Sequence, residues 1–419
     1  MATDETSDDE VLRAPDGRTE VTFTELFFDL VYVVGVTQVT ARLAGDLSWR
    51  GALESLLFLL PLWWAWVSTA WFTNWFDPDR RPVRMVLVLI MLASLVMTAA
   101  VPEALGDRGL WFAGAYVSIQ VGRTAYAVVA LRRRGDEADR ARLLDQQRAL
   151  TWALGSAVLW LAGGVVMGPA RVVLWVAALI VDYSAPAVGF RVPGHGRSTT
   201  TDWDIEGQHL AERCQLFLIV AFGESILATG ATFADDEPTA TTVASLAVAF
   251  GGNVALWWVY FDYHAERAAD TIARHHDPGR LGRSAYTYLH VPMVAGIIVT
   301  AVGDELALSD PTGTTALVTA ATVLGGPALF VAGHALFKAV LFHTVSVPRL
   351  VAVAALGLLA PTATVVAPLT LSLLATLVVG ALAAWDVWRP PALDPPSVSP
   401  DPGGEAAGTT SSDGARSKP

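Results

Sequence analysis

Charge is what this 419-residue chain has least of. Asp, Glu, Lys and Arg make up 16% of it, against about 25% in soluble domains. Residues of the hydrophobic types make up 53%, and the mean hydropathy is +0.45. One soluble core cannot hide that much apolar surface, and two soluble domains would still need charged skins. Cysteine is nearly absent: Cys214 stands alone, which excludes a disulfide scaffold. A basic start is lacking too. The first 20 residues carry Asp4, Glu5, Asp8, Asp9, Glu10 and Asp16, the opposite of a signal peptide, so insertion is expected to begin with an uncleaved internal helix. The net charge of −12 offers nothing to nucleic acid. Phosphate loop, nucleophile elbow and dinucleotide fingerprint are all missing, so neither an enzyme nor a cofactor is expected.

What is present is a series of long apolar runs. A bilayer core of about 30 Å needs roughly 20 apolar residues per helix. Such runs fall at 21–43, 52–76, 83–105, 109–131, 149–167, 171–190, 209–231, 240–263, 285–308, 313–337, 350–366 and 369–388. They are apolar all round, whereas membrane strands alternate. An all-α polytopic membrane protein of about twelve helices is therefore expected. Pro361 and Pro368 interrupt the last pair. With the N-terminus inside, 22 of the 28 Lys and Arg fall in inner segments and four in outer ones. That bias places both termini in the cytoplasm and the protein in the inner (plasma) membrane. The remaining two, Arg123 and Arg213, lie inside spans. The tails, residues 1–20 and 390–419, are acidic, and the second is rich in Pro, Ser and Gly, a composition expected to be disordered.

The two halves, 21–190 and 209–388, resemble one another. TELFFDLVYVVGVTQ from Thr24 parallels AERCQLFLIVAFGES from Ala211, and WFTNWFDPDR parallels LWWVYFDYHAER. TAAVPEAL parallels VTAVGDEL in the same order. Six helices per half is an even number, so the repeats are expected to run parallel, with a site between them near the midplane.

Ionisable groups at mid-membrane cost about 2.5–3.5 kcal/mol each, so each needs a partner or a wet cavity. Glu25 and Asp29 are four apart and share one face of the first helix. Arg213 and Glu224 are eleven apart and fall on one stripe of the seventh, with His209 on the same stripe. Arg123 needs a carboxylate, and Glu25, Asp29, Arg123, Arg213 and Glu224 are the leading site candidates. Asn74 and His209 come second. Two readings stay open for them: interhelical ion pairs, or the lining of a hydrated path. Gly223 beside Glu224 is expected to admit a neighbouring helix, and Gly163-Gly164 and Gly251-Gly252 to mark tight crossings. The tryptophans of helix two (Trp63, Trp64, Trp66, Trp71 and Trp75) are read as interfacial belt and packing. No histidine pair has zinc-site spacing, so no metal is expected.

Glu25-Leu-Phe-Phe-Asp29-Leu-Val-Tyr-Val33 with Thr37-Gln38, and His209-Leu-Ala-Glu-Arg213 with Gly223-Glu224-Ser225, resemble the bacterial low-temperature-requirement A family. Trp71-Phe-Thr-Asn74 to Pro78 and Leu256 to Asp262 resemble it as well. The resemblance implies a multi-pass membrane protein named for a growth phenotype in the cold, without a defined reaction. Phe28-Asp29 is also similar to the first helix of two-repeat, six-helix potassium channels, where the motif is Phe-Ser-Asp; here Phe28 replaces the serine. The leading expectation is a transporter-like protein whose partners are the bilayer and a small solute or ion. The alternatives are an ion channel, and a structural protein whose charges only pair.

Overall fold

The computed structural model describes residues 11–13, 21–203, 205–235, 237–262 and 264–388. Most of residues 1–20 and all of 390–419, the two tails, lie outside the described residues. Among the described residues the chain is helical, and pairing of extended backbone is limited to two isolated bridges, Leu12–Phe76 and Val192–Gly196. The first six long helices are α1 (Phe23–Gly45), α2 (Trp49–Trp75), α3 (Arg81–Ala100), α4 (Gly109–Arg134), α5 (Arg140–Val165) and α6 (Pro169–Ser184). Next come α7 (Gly207–Asp235) and α8 (Ala240–Phe261), then two short helices, α9 (His264–Ala273) and α10 (Pro278–Leu281). A π-helical stretch at Gly282–Tyr288 leads into α11 (His290–Ser309), followed by α12 (Leu317–Phe342), α13 (Val347–Leu359) and α14 (Pro368–Trp388).

Each of the twelve expected runs coincides with a long helix, but among the described residues ten segments have the length and apolarity to cross a bilayer. The two that fall short are α4 and α6. Helix α4 carries Gln120, Arg123 and Thr124 in its middle and three arginines at its end. Helix α6 has 16 residues, about 24 Å at 1.5 Å per residue, short of a bilayer core. The outer faces of the bundle are apolar as well as the core. Leu89, Val158, Ile180, Leu227 and Leu377 are exposed, a surface that suits hydrocarbon and not water. The expected break at Pro361 and Pro368 is a 3-10 turn, Ala360–Thr364, with Pro368 opening α14.

Most helices consecutive in sequence pack on one another in residues 21–190 and 209–388, and in the second stretch α8 also packs extensively on α14. Helix α1 packs on α2 and α3, α3 on α4, α4 on α5, and α5 on α6; likewise α7 packs on α8 and α11, α11 on α12, α12 on α13, and α13 on α14. The halves meet where α1 lies beside α7. Asp29 touches Arg213 and Thr40 touches Glu224, both pairs 184 residues apart. A constant offset over eleven residues, about 16 Å of rise, means the two helices run parallel and in register.

Small residues set the closest crossings. A Cβ on Gly163 would lie 2.5 Å from Trp175, and one on Gly252 would lie 3.0 Å from Thr376, as expected. The tightest seam joins α11 and α12, where a Cβ on Gly296 would fall 2.6 Å from the Phe330 nitrogen. Gly223, by contrast, has nothing within 4 Å of its Cβ direction, so it admits no neighbouring helix. Of the two roles expected for the helix-two tryptophans, packing is the one that Trp63, Trp64 and Trp66 take, buried in the core. Two indole N–H groups of α2 find polar partners inside. Trp63 Nε1 donates to the Thr287 carbonyl at 2.7 Å and Trp71 Nε1 to Thr287 Oγ1 at 3.0 Å. That carbonyl belongs to the π-helical stretch, whose wide turn leaves main-chain groups open to side-chain partners.

Candidate functional site

The seven sequence candidates fall into three places. Five of them, Glu25, Asp29, His209, Arg213 and Asn74, converge at the end of the α1–α7 seam. Glu25 serves two structures at once. Its Oε2 accepts from the Thr22 nitrogen at 3.0 Å while Thr22 Oγ1 accepts from the Glu25 nitrogen at 3.3 Å, a capping box that starts α1. Its Oε1 lies 3.0 Å from His209 Nε2 and 3.9 Å from Arg213 Nε. Asp29, one turn on, accepts from Arg213 Nη1 at 2.8 Å and from Trp66 Nε1 at 2.7 Å. Arg213 Nη1 also donates to the Glu25 carbonyl at 3.0 Å, and its guanidinium lies 5.7 Å from the ring centres of Phe28 and Trp66.

One further residue, Arg13, completes this cluster. Arg13, from the segment that bridges to the end of α2, has Nη2 3.2 Å from His209 Nε2 and 3.8 Å from Glu25. Asn74 exchanges two hydrogen bonds with the Glu206 backbone, at 2.7 and 2.8 Å, tying α2 to the start of α7. With His209 neutral, two carboxylates balance two guanidiniums. Glu25, His209 and Arg213 are completely buried. This is a sealed lock between the halves, and it matches the ion-pair reading of these residues.

Arg123 is elsewhere, and the carboxylate expected for it is absent. Its Nη1 donates to Thr69 Oγ1 at 3.1 Å and its Nη2 to Gln120 Oε1 at 2.5 Å. Among the described residues it has no carboxylate within ion-pairing distance. It lies at one wall of a cavity of about 150 Å³ between α2, α4 and α5. The mouth is at the end of the bundle that carries the basic loops, beside Arg142, Asp145 and Arg283, and Trp64, Trp71, Phe72 and Trp75 form an aromatic side. Arg123 is eleven residues from the end of α4, so it sits about 16 Å below that face.

Glu224 occupies the third place. Its Oε2 accepts from Thr40 Oγ1 at 3.2 Å, and no Lys, Arg or His reaches it among the described residues. One to three turns further along α7, Ala228, Thr232 and Asp235 join Glu305 and Ser309 around a second cavity of about 380 Å³. It opens at the opposite face from the first, since α7 starts at the lock and ends here.

Five other buried charges, Arg171, Arg349, Asp386, Asp182 and Asp304, were not among the sequence candidates. Arg171 donates to five backbone carbonyls, those of Ala104, Gly106, Gly163, Gly164 and Val166. Arg349 pairs with Asp386 at 2.7 Å. Asp182 accepts from Tyr116 at 2.8 Å and Trp160 at 3.0 Å, and Asp304 from Asn253 at 3.1 Å. Asp182, Asp304 and Asp386 lie toward helix ends, where a count of residues cannot tell solvent from a lateral neighbour. The Thr22-x-x-Glu25 spacing before an apolar run was a legible capping signal.

The fold and these sites define a multi-pass helical membrane protein with buried charge between its helices. The family model for the bacterial low temperature requirement A protein (LtrA) matches residues 20–384. The chain belongs to that family. An uncharacterized protein of Rhizobium meliloti (strain 1021) is 40% identical over 323 residues, 77% of this chain and 78% of its own length. No solved structure matches.

Proposed function

We propose that this low temperature requirement A family protein is a transporter rather than an enzyme, carrying a small solute across the inner membrane with both termini cytoplasmic. In this reading twelve helices form two parallel six-helix halves, 21–190 and 209–388. The consecutive packing α3–α4–α5–α6 and α11–α12–α13–α14 and the parallel α1–α7 seam support the duplication. One observation carries the transport reading: two cavities open at opposite faces and share no lining residue. A cavity from each side with a closed barrier between is what alternating access requires. Arg123 and Glu224, buried charges without an ionic partner, are the working groups, one near each cavity. The lock residues hold the halves in register.

A channel needs one continuous pore, and the two cavities share no lining residue. A purely structural protein needs every buried charge neutralised, and Arg123 and Glu224 are not. The test is rescue of growth in the cold in a bacterium lacking its own family member. Glu224→Gln and Arg123→Gln are expected to lose rescue at wild-type membrane levels. Full rescue by both variants would sink the reading.

A further inference from the structure

We propose that the cavity beside Arg123 is a binding site for a small organic acid, a ring-sized apolar body bearing a single carboxylate. The inference rests on the transport reading only for its biological purpose; the binding site stands on its own geometry.

Four arginines are buried in the bundle: Arg123, Arg171, Arg213 and Arg349. Asp29 neutralises Arg213, Asp386 neutralises Arg349, and Arg171 is enclosed by five carbonyls. Arg123 alone meets just two neutral side-chain oxygens, and it alone borders a cavity. Its exposure is 7%, so water does not solvate it in bulk. A second group points the same way. Gln120 turns its carbonyl oxygen to Arg123, which leaves its Nε2 as the free end. That nitrogen is buried and has no hydrogen-bond partner. A guanidinium and an unsatisfied amide N–H, three residues apart on one face of α4, present donors without an acceptor. The missing species is an acceptor carrying negative charge, and a carboxylate fits that fork.

The remaining walls set the body of the ligand. Trp64, Trp71, Phe72 and Trp75 offer ring faces, and about 150 Å³ is the size of cavity that takes one benzene-sized ring. Two acids also border the cavity, and both are already engaged. Asp182 accepts from Tyr116 and Trp160, and Asp145 pairs with Arg148 at 2.7 Å and accepts from Ser198. At the mouth Arg142 and Arg283 add positive charge, which favours entry of an anion.

Binding is read on the purified full-length protein from tryptophan emission, since several of the lining residues report directly. Benzoate is expected to quench emission saturably, and benzamide, its neutral counterpart, to bind at least tenfold more weakly. Arg123→Gln is expected to weaken benzoate at least tenfold, and Arg123→Lys to recover part of the loss. Gln120→Glu keeps the shape of the side chain and supplies Arg123 with an internal counter-ion, so it is expected to abolish binding in a folded protein even if Arg123→Gln does not fold. Equal affinity for benzoate and benzamide, no saturable binding, or unchanged binding in Gln120→Glu overturns the proposal. Displacement of benzoate by phosphatidate in phosphatidylcholine nanodiscs would assign the site to a lipid headgroup and overturn it too. Arg123-dependent binding of benzoate together with full cold rescue by the Arg123 and Glu224 variants leaves this site standing and removes the transport reading.

Discussion

Arg213 and Arg123 are both buried guanidiniums in mid-helix, and their surroundings differ in every respect. Arg213 lies in the α1–α7 seam, held by Asp29, the Glu25 carbonyl and two aromatic faces, with no cavity beside it. Arg123 has Thr69 and Gln120 for partners and open space on one side. The difference separates charge that holds a structure from charge that is available to something else. A buried pair whose partners are both internal is a lock, because removing either leaves the other uncompensated. Arg123, beside its cavity, has only neutral internal partners, so no buried charge is stranded when it is removed.

The comparison can be pressed with substitutions. Arg213→Gln strands Asp29 and Glu25, and a loss of about 3–5 kcal/mol is expected, read as a large fall in thermal unfolding temperature of the detergent-solubilised protein. Adding Asp29→Asn to it is expected to recover part of that loss; a strictly additive double variant would break the lock. Gly296→Ala tests whether crossings matter as much as charges. Its Cβ would meet the Phe330 backbone at 2.6 Å, and overpacking of this kind costs about 1–3 kcal/mol. Thr22→Ala removes one arm of the capping box beneath Glu25, expected to cost about 1 kcal/mol. Arg123→Gln is expected to shift stability least, by under about 1 kcal/mol, because it leaves only neutral hydrogen-bonding partners behind. If Arg123→Gln unfolded the protein as readily as Arg213→Gln, the contrast between the two arginines would disappear.

Much of the bundle was legible in the chain. Runs of apolar residues located the long helices, ten of which among the described residues have the length and apolarity to cross a bilayer, since those are properties of a segment alone. The i, i+4 pair Glu25 and Asp29 and the eleven-residue stripe of Arg213 and Glu224 were legible too, because helical geometry fixes which residues share a face. The stripe does run along one neighbour, α1, as Asp29 and Thr40 show. What periodicity could not supply was the partner. Arg123 was expected to find a carboxylate and meets none. Gly223 was expected to sit in a crossing and faces open space. The helix-two tryptophans read as belt and packing together, and only the structure shows that Trp63 and Trp66 are core residues donating to Thr287 and Asp29.

The sparse charge of this sequence determined its class by itself. With 16% charged residues and long apolar runs, burial in a bilayer is the only solvent that satisfies the chain, whatever its helices touch. The fate of each of the few charges inside was decided by tertiary structure. A side chain's solvation depends on the helices beside it, and those are brought together from residues as far apart as Asp29 and Arg213. Packing made one arginine part of a closed lock and left another facing a cavity, and it is the second that points to function.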